Sequence, residues 1–203
     1  MKSIFIVGDS ISIQYGPYLA RFVDGRFLYN CKGGDAEARR NLDQPAGANG
    51  GDSGMVRDYL AACLADGKLQ TDILLLNCGL HDIKTDPATG RCQVELADYE
   101  KNLRWIVERV GQAGIRLIWI RTTPVDETRH NSRQKAFSRY EKDQAAYNAA
   151  ADRIMATASV PVVDLEQFTL RCGEPLFCDH VHFTAPVREK QAAFLAGYLD
   201  AMA

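Results

Sequence analysis

The chain of 203 residues lacks any apolar stretch approaching the ~20 residues of a membrane span, which argues against a membrane-crossing helix. It also lacks a basic run. Its 24 Lys and Arg and 26 Asp and Glu are spread along the chain and leave a formal charge of -2. Nothing tracks a phosphate backbone, so nucleic acid is not an expected partner. The six cysteines, Cys31, Cys63, Cys78, Cys92, Cys172 and Cys178, include no Cys-x-x-Cys pair, which removes the spacing of a metal or redox site. A chain of this size needs no disulfide staples, and Cys63 and Cys78 fall on apolar segments where a free thiol packs as a small hydrophobe. No Gly-x-Gly-x-x-Gly follows the first strand-like segment, against a nucleotide-binding sheet. No repeat, low-complexity tract or linker divides the chain, and with 46% hydrophobic residues one domain spanning 1–203 is expected. The stretch before Gly8 is too short for the charged and apolar regions of a signal peptide, so the expected compartment is the cytoplasm. Composition leaves the oligomeric state open.

What is present is alternation. Short apolar runs at Ile4–Val7, Phe27–Asn30, Ile73–Asn77, Ile115–Ile120 and Val160–Asp164 alternate with segments of helical period. Met55, Val56, Tyr59, Leu60, Cys63 and Leu64 make one apolar stripe; Tyr99, Leu103, Ile106, Val107 and Val110 make another, ending at Gly111 and Gly114. A third helix is expected from about Lys135 to Ala158, with Phe137, Tyr140, Tyr147, Ile154 and Met155 facing inward. A fourth carries Phe194, Leu195, Tyr198, Leu199 and Met202. The pattern predicts a three-layer α/β/α sandwich with about five parallel strands. Ligands in such sheets sit beyond the carboxyl ends of the strands. The polar, Gly-rich or Pro-rich segments follow those ends: Gly8–Ser12, Lys32–Ser53, Gly79–Pro87, Arg121–Gln134 and Glu174–Thr184.

Four of these segments carry candidate chemistry. In Gly8-Asp9-Ser10, Ser10 falls between the first strand and a helix, where it is either an ordinary N-cap or a nucleophile facing helix amides. The Gly-x-Ser-x-Gly elbow is missing, because Ser12 stands where its second glycine would be. A serine hydroxyl needs a base, and Asp179-His180-Val181-His182 supplies an imidazole with a carboxylate three residues away. His180 and His182 lack further partners for a metal site, so no metal is expected. Asn77-Cys78-Gly79-Leu80-His81-Asp82 follows the third strand, and Asn49-Gly50-Gly51-Asp52-Ser53 precedes a helix. His81 is a turn residue or a donor into the crevice; Gly51 is part of a capping turn or an amide that approaches a ligand. The charged loop with Arg121, Arg129, His130 and Arg133 is either solvated or in contact with a leaving group.

Together, in this order, these segments resemble the SGNH/GDSL hydrolase family, whose members include esterases, lipases, thioesterases and carbohydrate deacetylases. The likeness runs from Gly8 to Phe183. Gly8-Asp9-Ser10 matches the nucleophile block, Asp179-His180-Val181-His182 the Asp-x-x-His block, and Gly51-Asp52-Ser53 the glycine block, for which Gly33-Gly34-Asp35 is the rival. One block departs: the family's Gly-x-Asn-Asp is Gly79-Leu80-His81-Asp82 here, and an imidazole N–H can replace the asparagine amide as a donor. The resemblance implies a flavodoxin-like fold and a serine esterase acting on a small acyl ester, acetyl foremost, of an alcohol or carbohydrate. Ser10 would be the nucleophile, His182 the base and Asp179 its orienting acid. Ser10, Gly51 and His81 would form the oxyanion hole, and no cofactor is implied. A sugar O-acyltransferase, or an inactive carbohydrate-binding member of the fold, are the alternatives.

Overall fold

A computed structural model describes residues 1–202. Strand β1 (Lys2–Val7) leads into helix α1 (Ser10–Val23) and β2 (Phe27–Cys31), followed by the one-turn α2 (Asp35–Ala38) and α3 (Ser53–Ala65). Then come β3 (Ile73–Leu76), α4 (Leu96–Gln112), β4 (Arg116–Ile120), α5 (Glu127–Arg133) and α6 (Glu141–Thr157). Strand β5 (Val162–Val163), α7 (Leu165–Leu170) and α8 (Ala185–Ala201) complete the order. All strand pairs are parallel, in the order β2-β1-β3-β4-β5.

The register sets Val7 beside Leu76 and Leu76 beside Trp119. Strand β3 lies in the middle, covered on both faces, and all four of its residues are buried. That is why Ile-Leu-Leu-Leu reads as an unbroken apolar run rather than an alternating one. Helices α1, α7 and α8 pack together, as do α3, α4 and α6, and the two groups form the outer layers. The strand order reverses direction between β1 and β3, the switch point at which such sheets open a crevice beyond their carboxyl ends. Ser10 follows β1 and His81 follows β3, so both reach that crevice.

Two expectations need correction. The third helix begins at Glu141, not near Lys135. Residues 135–140 are instead an extended strap, because Ser138 and Thr85 exchange backbone hydrogen bonds of 2.8 and 2.9 Å. Phe137 and Tyr140 therefore precede the helix, while Tyr147, Ile154 and Met155 are buried on it as expected. Met55, placed on an inward stripe, is 40% exposed. The charged segment after β4 is partly helical, since the Asp126 carboxylate caps α5 through the Arg129 amide.

Candidate active site

Ser10 is the first residue of α1, where the leading amides of a helix have no intrahelical acceptor. The preceding Asp9 fixes the turn: its carboxylate accepts from the Ile11 amide at 2.9 Å and its carbonyl accepts from the Ser12 hydroxyl at 2.6 Å. Asp9 is buried, and desolvation raises its pKa despite the Ile11 amide and the nearby positive charge of Arg139. Ser10 Oγ lies 2.9 Å from His182 Nε2, and His182 Nδ1 lies 2.7 Å from Asp179 Oδ2. The other carboxylate oxygen, Oδ1, accepts from the amides of Val181 and His182 at 2.8 and 2.7 Å. Partial burial pushes the Asp179 carboxyl up, but the imidazole and those amides outweigh it and hold it well below the usual carboxylate range. Asp179 is therefore ionised, and His182, buried at 3% exposure, is fixed in orientation from both ends.

Gly51 and His81 flank the same crevice. The Gly50 amide donates to the Gly8 carbonyl at 2.8 Å, which brings the glycine turn against the end of β1. Gly51 has φ +75, and a Cβ there would come within 2.6 Å of Met55 and 2.8 Å of Pro45, so only glycine fits. Its own amide donates to Asn49 Oδ1 at 3.0 Å, and that bond must loosen before the amide can serve a ligand. The rival Gly34 packs on Gly47, where a Cβ would approach within 2.6 Å, and its carbonyl accepts from Ala38 and Ala48. His81 is 2% exposed, with Nδ1 buried and unpartnered. Desolvation, reinforced by Lys84 and Arg139, holds its pKa well below the usual histidine value, so it is neutral and retains one N–H. Asn77, at the end of the same strand as His81, ties β3 to β4 instead, donating to the Ile120 carbonyl at 2.9 Å.

Sequence patterns do not single out the residues that support this corner. Both carboxylate oxygens of the buried Asp82 accept from the Ser53 amide, at 2.9 and 3.1 Å, and join the turn after β3 to the start of α3. Burial raises Asp82 to about 7. Arg139, on the strap, is 2% exposed and donates through Nε to the Leu80 carbonyl at 2.7 Å. All four histidines of the chain gather here. His130 and His180 have ring centroids 5.0 Å apart, and His180 and His182 6.0 Å. His81 is close enough to His182 for their charges to interact. Of the charged loop, His130 reaches this cluster, while Arg121 joins Asp152, Asp164 and Glu166, and Arg129 pairs with Asp126. Among the described residues no three His, Cys, Asp or Glu side chains are grouped to hold a metal ion. No described helix is long and apolar enough to cross a membrane.

Residues 6–187 match the model of the GDSL-like Lipase/Acylhydrolase family. No protein of curated description matches by sequence. Among solved structures, the acetyl xylan esterase AlAXEase is 12% identical, with 97% of this chain and 99% of that one covered and a TM-score of 0.73. An aryl esterase from M. Smegmatis is 18% identical, both chains fully covered, with a TM-score of 0.70. Est24, a carbohydrate acetylesterase from Sinorhizobium meliloti, is 14% identical over both full lengths, with a TM-score of 0.65. At such identities the likeness is one of fold.

Proposed function

The chain belongs to the GDSL-like lipase/acylhydrolase family and is a hydrolase of ester bonds, and from this premise we propose a serine esterase that removes a small acyl group, acetyl foremost, from an alcohol or carbohydrate. The observation that carries the reading is the hydrogen-bonded chain Ser10–His182–Asp179, at 2.9 and 2.7 Å.

In this reading Ser10 Oγ attacks the ester carbonyl as its proton passes to His182 Nε2. The imidazolium is stabilised by Asp179, which stays ionised. Negative charge on the carbonyl oxygen meets the Ser10 amide, the His81 N–H and, once it parts from Asn49, the Gly51 amide. The ester C–O bond then breaks, and the alcohol leaves with the proton held on His182. Water, deprotonated by the same imidazole, attacks the acyl-enzyme; its collapse restores the Ser10 hydroxyl and releases the acid.

One observation favours a small acyl group. Two of the structural neighbours are described as an acetyl xylan esterase and a carbohydrate acetylesterase. A series of p-nitrophenyl esters of increasing chain length, run beside acetylated sugars, tests the reading. The acetate should give the highest kcat/KM and acetylated sugars should release acetate; a preference for long chains would overturn it. Acyl transfer to an added sugar in place of hydrolysis would mark an acyltransferase instead.

A further inference from the structure

Lys84 and Arg139 are buried cations that the ester chemistry above does not use, at 9% and 2% exposure. Neither is paired with a carboxylate among the described residues. Lys84 Nζ donates to the Asp43 carbonyl at 2.9 Å. Arg139 donates to the Leu80 carbonyl and has Nη1 3.5 Å from His130 Nδ1. Both lean on one aromatic ring: Lys84 Nζ is 4.7 Å and Arg139 Cζ 5.0 Å from the centroid of Phe137. The carboxylates of Asp43, Asp9 and, for Lys84, Asp52 reach them by charge without touching them. Asp43 has Oδ1 3.2 Å from His180 Nε2 and Oδ2 3.3 Å from Gln134 Nε2, while Asp9 caps α1. Desolvation and mutual repulsion bring Lys84 down to about 8, yet it remains largely cationic at neutral pH. Two like charges held together out of water, with carboxylates near enough to be felt but none in contact, gain when an anion joins them directly.

Lys84 and Phe137 also line a groove of about 640 Å³, with Gln44, Pro45, Asp86 and Arg91. The groove adjoins the oxyanion corner from both sides. Pro45 is the residue against which a Cβ on Gly51 would collide, and the Lys84 amide donates to the His81 carbonyl at 3.3 Å. Arg91 is paired with Glu95 at 2.9 Å, and Asp86 accepts from the Ala88 amide at 2.7 Å. Of the two cations on this lining, Lys84 is thus the one without a carboxylate partner among the described residues, while Asp86 adds a negative charge to the same lining. Close by, His130 Nε2 is buried without a partner.

We propose that this groove is a subsite for a carboxylate carried by the substrate, with Lys84 as its contact and Arg139 as the charge behind it. The enzyme would then select esters that bear a negative charge near the scissile bond, as esters of acidic sugars or hydroxy acids do. This inference rests on the esterase reading and narrows its substrate class.

Two matched pairs of esters test it. p-Acetoxybenzoate against p-acetoxybenzamide varies charge in the alcohol half, and monophenyl succinate against phenyl levulinate varies it in the acyl half. The anionic member of at least one pair should have a kcat/KM about tenfold or more above its neutral partner, the scale of a charge-assisted hydrogen bond. Which pair responds tells which half carries the carboxylate. The ratio should collapse toward one in Lys84→Met, persist in Lys84→Arg, and shrink with added salt in the wild type. The salt series keeps the test decisive if Lys84→Met does not fold. Ratios near one in both pairs, or a preference indifferent to salt or to Lys84→Met, would overturn the subsite while leaving the esterase reading standing. Failure to hydrolyse any of the four esters, with Ser10 inert to a fluorophosphonate, would overturn that reading and this one with it.

Discussion

The two walls of the crevice are built differently. On the Ser10 side the hydroxyl, both imidazole nitrogens and both carboxylate oxygens all have partners at 2.7–2.9 Å. Across from it, His81 Nδ1 and His130 Nε2 are buried without partners, and Lys84 and Arg139 rest on neutral carbonyls. A buried polar atom left unpaired costs about 1–3 kcal/mol. In the proposed mechanism the first wall passes a proton among groups already paired, Asp9 Oδ2 being its unpartnered neighbour. In the same proposal the second wall receives charge from outside, either the oxyanion or a substrate carboxylate.

The largest effect separating the walls should come from Ser10→Ala, which is expected to lower kcat/KM by roughly 10⁴ or more while thermal unfolding moves little. His182→Ala should match it, and the double variant should be no worse than either single one, because nucleophile and base act as a unit. Steady-state kinetics on one small acetyl ester checks all three; additive losses would dissolve the pairing.

On the opposite wall the expected loss is smaller. His81→Ala should lower kcat by roughly 10²–10³, the cost of one oxyanion donor, with little change in KM. His81→Asn should recover much of it, since a neutral N–H is all that His81 offers. Equal, severe defects in both variants would remove His81 from the oxyanion hole.

The remaining effect is on stability rather than rate and concerns Asp82. Its folded pKa, raised to about 7 from 3.8, means that the folded state holds this proton more tightly than the unfolded state. Asp82 therefore makes stability fall as pH rises between those values and is level above about 7. In so buried a group the whole fall amounts to up to about 4 kcal/mol. Urea unfolding at several pH values should show it in the wild type relative to Asp82→Asn. Parallel pH profiles would contradict it. Asp179 has the opposite sign: its depressed pKa supports the fold above the ordinary carboxylate range, and the support is lost as pH falls into strong acid.

The same contrast decides what the sequence reveals. Strand β3 is legible because it is buried on both faces, and the Asp179–His182 contact because its partners are three residues apart. Ser10 lies 172 residues from His182, and only the parallel topology, which sends both segments to one sheet edge, brings them together in advance. The second wall rests on contacts with no local signature: Arg139 to Leu80 spans 59 residues and Asp82 to Ser53 spans 29. Arg139 is further hidden because Phe137 and Tyr140 keep a helical spacing with Tyr147, although the backbone there pairs with Thr85. Gly51 and Gly34 look alike in sequence. They part company in space, where the turn at Gly50 bonds to Gly8 and Gly34 packs on Gly47.

The central claim is that Ser10 is a nucleophile activated by His182, and a fluorophosphonate probe read by intact mass and peptide mapping tests it most directly. The account predicts one label per chain, on Ser10, absent in Ser10→Ala and much slower in His182→Ala. Labelling at another residue, or an unlabelled Ser10 in folded protein that still hydrolyses esters, would contradict it.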